Sequence, residues 1–428
     1  MSIKDTSRFI WRDLAFWAGI ALLVRCAYGW WVMRTLGLQQ FSDSLFLFRL
    51  AGSLAEGRGF VLGNDRIFNQ SVGYPAFLAP FFRVAGPSEE LLLVINILLG
   101  VVAVAGVYVL THYLIRQPSG TPELGEKTRR GIARMAAGVA ALYPDSLLCV
   151  AFAASENLLI PLMLLLILSV VAGWRNPWLG GAVTGAVAAA VLSVKAYVFF
   201  LCPFIPLVWI AGSRQPFRRT AAAALAGMVC LAPWTCSNYR ASGGYVIPLT
   251  AIAGEVFLDG TNPQAVGKPT NLIDLPEREK VGLNKIEQDR AKLQKAVGYI
   301  KADPWWYVRL VLKKAVYAGS PARDYQFEDG GRYRFFGRFL SRWFTTFYSL
   351  FLMLGVAAAM FRYRWLGPES RVLLFAIPAA SWIQQMVFVA LPHYRFPFLF
   401  CAIPFIAWGW FRIAARSARW AVTQRPVS

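Results

Sequence analysis

Charge is scarce in this chain: only 16% of its 428 residues are Asp, Glu, Lys or Arg, while 57% are hydrophobic. A soluble domain carries about 25% charged residues, and a disordered chain is poorer still in apolar ones. Both classes are excluded. Histidine is nearly absent; His112 and His393 have no neighbouring ligands at metal spacing, so neither a metal nor another cofactor is expected. Six cysteines (Cys26, Cys149, Cys202, Cys230, Cys236, Cys401) are scattered, nearly all in apolar runs, and read as small buried hydrophobes. Acidic residues are outnumbered 23 to 44 by basic ones, for a formal net charge of +21. No nucleic-acid module accompanies that excess, so nucleic acid is not an expected partner.

The apolar residues fall in runs of about 17–25, long enough to cross a bilayer core of about 30 Å. Ten spans can be drawn, at 14–33, 90–115, 132–150, 157–173, 178–194, 197–212, 220–238, 340–361, 372–391 and 398–414. With the N-terminus in the cytoplasm, the short inside segments collect Lys4, Arg8 and Arg12; Arg116, Lys127, Arg129, Arg130 and Arg134; Arg175; Arg214, Arg218 and Arg219; Arg362, Arg364 and Arg371; and Arg412, Arg416, Arg419 and Arg425. Every inside segment is basic, as the positive-inside rule requires. The start of the chain leads into a full-length span without a small-residue cleavage site and reads as a retained helix. The fold class expected is an all-α polytopic membrane protein, a single domain over 1–428 with both termini cytoplasmic.

Two outside segments are long, 34–89 and 239–339. In the first, Leu45, Phe48, Ala51, Leu54 and Ala55 recur at helical spacing, with Ser42 or Asp43 as the cap and Gly57 and Gly59 at the end. The next stretch, 72–86, is short for a span and holds two prolines; it reads as a half-inserted element that places Tyr74 at a cavity edge, or as a packing turn. In the second segment, 276–302 has the alternation of an amphipathic helix, and the tryptophans and basic residues that follow suit a helix lying at the interface.

Several ionisable residues sit where burial is costly. Asp145 and Glu156 bracket one outside turn, Lys195 joins two spans, Arg395 ends another, and Arg25 lies inside the first span, where it needs a partner in the bundle. Each has a plain alternative: Asp43 as a helix cap, Glu156 as a macrodipole partner, Lys195 and Arg395 as cations reaching headgroups. Together they offer a carboxylate, cations and an apolar surround at one face, which suits a lipid-linked phosphate whose tail stays in the bilayer. A sugar phosphate leaves as a phosphomonoester that cations stabilise, so one carboxylate to deprotonate the incoming hydroxyl is enough. Glycosidases, with an alkoxide leaving group, need a pair.

Five stretches in order resemble the GT-C membrane glycosyltransferases, specifically the family 39 group of bacterial lipid-dependent enzymes, which includes the lipid A aminoarabinose transferase and is related to protein O-mannosyltransferases. They are FSDSLFLFRLAGSLAEGRGF with VGYPAFLAPFFRVAG, LYPDSLLCVAFAASENLLIPLMLLL, GAVAAAVLSVKAYVFFLCPF, LAPWTCSNYRASGGYVIPLTAIAGEVFLDGTNPQAVG and LPHYRFPFLFCAIPF. The resemblance implies that Asp43 is the general base, that Lys195 binds donor phosphate, that Glu156 is the acid opening the fourth span, and that Tyr394 and Arg395 are the tyrosine–arginine element of the last outside turn. Arg58, Tyr74 and Arg240 fall in family-like segments. Many relatives carry a second acid beside the first; here Ser44 follows Asp43. The activity implied is transfer of a sugar from a polyprenyl phosphate to a glycolipid, glycan or protein acceptor, at the periplasmic face of a bacterial inner membrane. An O-antigen ligase or polymerase using a diphosphate donor, and a lipid-sugar flippase, are the rivals.

Overall fold

The computed structural model describes residues 3–35, 42–63, 65–115, 124–267, 275–321 and 342–423. Arg116 and Arg425 lie outside the described residues. The chain is helical almost throughout: α1 (Ile3–Thr35), α2 (Ser42–Ala55), α3 (Gly73–Ala85), α4 (Glu89–Leu114), α5 (Glu126–Ala141), α6 (Pro144–Leu148), α7 (Glu156–Val171), α8 (Pro177–Val194), α9 (Phe204–Ala211), α10 (Pro216–Ala241), α11 (Ala253–Gly260), α12 (Glu277–Lys280), α13 (Lys285–Ala302), α14 (Pro304–Gly319), α15 (Arg342–Phe361), α16 (Pro368–Val387) and α17 (Phe396–Thr423). Among the described residues the one sheet is a pair of two-residue strands, Val61–Leu62 against Asp65–Arg66.

Local chemistry sets many of the boundaries. Ser88 caps α4, its Oγ accepting from the Leu91 N–H at 3.1 Å, with Glu89 and Glu90 in the first turn. Asn176 caps α8 ahead of Pro177, and Asp303 caps α14 ahead of Pro304. Asn284 and Glu287 form a capping box at α13.

Five helices among the described residues are long and apolar enough to cross a membrane: Ile10–Thr35, Glu89–Leu114, Pro177–Val194, Pro216–Ala241 and Phe396–Ala415. Shorter apolar helices occupy Glu156–Val171, Ala196–Ala211 and Thr346–Phe361. The 132–150 run breaks after Ala141, because Pro144 restricts the residue before it and cannot donate to a continuing helix. The 197–212 run is a short 3₁₀ segment, Ala196–Leu201, followed by α9.

The apolar outer surface is the mark of a membrane protein. Only 6% of the apolar stretch of α10 is buried, and Leu225, Met228 and Val229 are each largely exposed. A water-facing surface of that kind is far larger than a soluble monomer tolerates. The interior is built around α4, α5, α7 and α17, where Val104, Val107, Ile403, Phe405 and Trp408 are fully buried.

Small residues let the helices approach. A Cβ at Gly185 would lie 2.1 Å from the Ala223 carbonyl oxygen, and one at Gly181 would lie 2.3 Å from that of Arg219, so α8 and α10 touch backbone to backbone. Gly409 and Gly355 do the same for α17 and α15. Arg25 is fully buried and fills the space beside Gly100, donating to Ser146 Oγ at 3.0 Å and to the Ala21 and Ala141 carbonyls.

Contacts of α1 with α4 run from Asp13–Tyr108 to Gly29–Leu93, so these helices are antiparallel and the bundle has two distinct ends. One end carries Arg12, Arg130 and Arg134, together with Arg214, which pairs with Glu369 and donates to the Val171 and Ala172 carbonyls. Ser370 donates to the Leu114 carbonyl at 2.7 Å, joining the end of α4 to the start of α16 at the same level. The other end carries the starts of α2, α3 and α7 and the end of α8.

Candidate functional site

Asp43 lies in the first turn of α2, where a carboxylate meets the positive end of the helix dipole, and its side chain is exposed. The helix stops at Ala55, and Gly57 (φ +77°) and Gly59 (φ +87°) supply the left-handed turns that follow. Two buried asparagines prepare the next piece. Asn96 on α4 donates to the Val150 and Phe152 carbonyls at 3.0 and 2.8 Å, and Asn157 donates to the Cys149 carbonyl at 2.8 Å. They satisfy carbonyls of the irregular 149–154 backbone and so fix where Glu156 opens α7.

Glu156 Oε1 stands 3.8 Å from Lys195 Nζ, with the two side chains 16% and 28% exposed. Lys195 is the first residue past α8, in extended conformation (φ −149°, ψ 111°), which throws its side chain out of the helical path. Burial pulls its ammonium pKa down, but Glu156 first, then Tyr394 and Asp43, raise it above the ordinary lysine value. Four groups drawn from four places in the chain therefore share one electrostatic site: Asp43, Glu156, Lys195 and Tyr394. Burial pushes the Tyr394 phenol up, against the pull of Lys195. Its ring lies 5.5 Å from that of Tyr197, whose buried hydroxyl has no hydrogen-bond partner among the described residues.

The other residues singled out in the sequence are placed elsewhere or do something else. Arg395 is buried and donates through Nη1 to the carbonyls of Ala318, at 2.9 Å, and Ser320, clamping the end of α14 onto the turn that holds Tyr394. Tyr74 is fully buried at the start of α3 and donates to Asn96 Oδ1 at 2.7 Å, within the core instead of at a cavity edge. Gly73 beside it packs directly on Ser193, which brings α3 against the end of α8. Arg58 is exposed and paired with exposed Glu56 at 2.5 Å. Arg240 is exposed in the last turn of α10. The cation near that turn is Arg66, which donates to Ser237 Oγ and Asn238 Oδ1 at 3.0 and 3.1 Å and lies 5.0 Å over the Trp234 ring.

Four residues of this end carry weight that the sequence reading does not give them: Asn96, Asn157, Asp259 and Lys314. Asn96 and Asn157 sit in apolar runs, where a lone amide is itself a signal of a buried partner. Asp259 on α11 acts electrostatically on both Tyr394 and Lys314. Lys314 is fully buried on α14, with Nζ donating to the Phe388 carbonyl at 2.5 Å. Lys314 and Arg395 thus tie α14 down from both sides of the same turn. Among the described residues no three His, Cys, Asp or Glu side chains converge as a metal would need.

No protein-family model matches the chain, and no protein of curated function matches it at a significant level.

Proposed function

We propose that this chain is a GT-C-type glycosyltransferase of the family 39 kind, moving a sugar from a polyprenyl phosphate to an acceptor hydroxyl. The carrying observation is the joint site of Asp43, Glu156, Lys195 and Tyr394 at one end of an apolar bundle. A lone ammonium held beside a carboxylate, next to an exposed acid on a separate helix, provides a cation for a phosphate and a base for a hydroxyl within one electrostatic unit. In the reaction the acceptor oxygen bonds to the anomeric carbon as the bond from that carbon to the phosphate oxygen breaks. The hydroxyl proton passes to Asp43, and the phosphomonoester left behind is held by Lys195. Attack from the side opposite the phosphate inverts the anomeric centre. Arg395 acts as a positioning residue: its guanidinium holds α14 over Tyr394, and the phosphate falls to Lys195.

The same proposal places the chain in a bacterial inner membrane, crossing it about ten times with both termini in the cytoplasm and the site at the periplasmic face. The donor is a lipid-linked monophosphate sugar, and the acceptor is lipid A, another envelope glycan or a protein. Asp43→Asn is expected to lower transfer by about 10²–10⁴-fold while leaving donor binding within about twofold. Lys195→Ala is expected to weaken donor binding instead. Near-normal turnover in Asp43→Asn removes the base, and an unchanged donor affinity in Lys195→Ala removes the phosphate role. Equal or better use of a polyprenyl diphosphate donor would assign the chain to the ligase or polymerase class, and sugar-lipid movement across liposomes without sugar consumption would assign it to the flippases.

A further inference from the structure

A cavity lined by charged groups lies not at this site but at the other end of the bundle, and it rests on none of the catalytic residues. It measures about 570 Å³ and is lined by Arg12, Asp13, Phe16, Trp17, Arg130 and Arg134. Along α1, Asp13 is about 24 Å from Gly29, the level at which the opposite end begins. We propose that this cavity holds the phosphate headgroup of an anionic phospholipid.

Charge makes the first part of the case. Asp13 is nearly buried and accepts from Arg134 Nη2 at 2.6 Å, Arg130 Nη2 at 3.0 Å and the Tyr108 hydroxyl at 2.9 Å. One carboxylate thus orients two guanidinium groups. A third, Arg12, is exposed on the neighbouring position of α1, with no ion-pair or hydrogen-bond partner among the described residues. Arg129 is already answered by Glu126 at 2.5 Å and adds nothing to the balance. Three guanidinium groups stand against the single Asp13 carboxylate in the lining, which is therefore rich in cations. Guanidinium forks held in place match the oxygens of a phosphate, which accept paired N–H bonds.

Shape and surroundings make the second part. A water claims about 30 Å³ of liquid, so the space is sized for a headgroup and not for a few waters. Trp17 wedges against α5, since a Cβ at Gly138 would lie 3.0 Å from its ring, and so forms a firm wall. Phe16 is 60% exposed and Trp11 71%. The apolar stretch of α1 starts here, at Ile10, and only 22% of it is buried, so the mouth of the cavity opens onto surface suited to acyl chains. A soluble anion would have no use for that surface, whereas a phosphate carrying two tails fits both parts. Juxtamembrane cations of this kind favour anionic lipid by about fivefold each.

The test uses the full chain in detergent, titrated separately with phosphatidylglycerol, phosphatidylcholine and glycerol phosphate, with bound adducts counted by native mass spectrometry. Phosphatidylglycerol is expected to bind in preference to phosphatidylcholine, and R12Q/R134Q to weaken it about 25-fold. R12K/R134K, which keeps the charges but loses the paired N–H geometry, is expected to lose less binding than the Gln variant. Arg134 touches Asp13, so if its replacement unfolds the chain, R12Q alone carries the test with an expected loss of about fivefold. Unchanged phosphatidylglycerol binding in the Gln variants, equal binding of the two lipids, or a loss in the Lys variant as large as in the Gln variant each overturns the proposal. Displacement of the lipid by glycerol phosphate at equal concentration overturns the lipid source and leaves a soluble phosphate as the ligand. Transfer activity plays no part in the readout, so the outcome is independent of the glycosyltransferase assignment.

Discussion

Lys314 should make the stability of this protein rise with pH in a range where most proteins begin to weaken. Its ammonium is fully buried, and burial pulls its pKa down to about 8 from the ordinary 10.5, with Asp259 only partly opposing. Below pH 8 folded and unfolded chains both carry the proton, and the folded state bears the full cost of the buried charge. Between about 8 and 10.5 the unfolded chain keeps a proton that the folded chain has shed, so stability increases with pH across that window. At about 1.4 kcal/mol per pH unit, the gap corresponds to about 3 kcal/mol. The neutral amine still donates to the Phe388 carbonyl, so the tie between α14 and the end of α16 survives. Lys314→Met removes the titration but leaves that carbonyl without its donor, which costs about 1–3 kcal/mol at every pH. The difference in unfolding free energy between wild type and K314M, measured by circular dichroism during SDS titration in mixed micelles, cancels the groups common to both. It is expected to climb by about 3 kcal/mol in favour of wild type from pH 7.5 to 10.5. A flat or falling difference would refute the burial of a charged amine at this position.

Four more substitutions probe the packing and the peripheral site residues. Gly185→Ala, whose added carbon meets the Ala223 carbonyl at 2.1 Å, should cost about 1–3 kcal/mol in the same assay, whereas Gly19→Ala, with nothing within 4 Å, should be neutral or slightly stabilising. Arg58→Ala breaks a pair whose side chains are more than half exposed, so stability should move by less than about 1 kcal/mol and transfer should not change; a large loss of activity would restore Arg58 to the site. Tyr74→Phe leaves Asn96 Oδ1 without its donor and should destabilise by about 1–3 kcal/mol. An unaltered unfolding midpoint would show that Asn96 does not depend on it.

The one-dimensional pattern carried further for helices than for the site. The α2 helix and its stop at Gly57 and Gly59 could be read directly, because helical spacing and a left-handed glycine are local properties. The amphipathic 276–302 stretch was legible as helix, though it is interrupted around Gly282 (φ +77°) before α13 begins. Less legible was the break after Ala141: a hydropathy window averages over Pro144, while the backbone cannot. Lys195 and Glu156 stand out in the sequence as costly ionisable groups and Tyr394 through the family resemblance, and the fold brings them together with Asp43. Arg395 was singled out on the same ground, yet its guanidinium is directed to the carbonyls of Ala318 and Ser320. A buried cation can be matched by carbonyl dipoles as well as by an anion, and sequence does not say which.

Composition and the order of apolar residues together determined that this chain belongs in a membrane, because a long enough apolar run favours hydrocarbon however the helices are arranged. The gathering of arginines in the short segments between runs was likewise written in the order of residues. Only the tertiary structure decided that Asp43, Glu156, Lys195 and Tyr394 act on one another, since they lie up to hundreds of residues apart and Coulomb energy depends on separation in space. It alone revealed the cavity beside Asp13, because a void is a property of how α1 and α5 fail to fill the space between them.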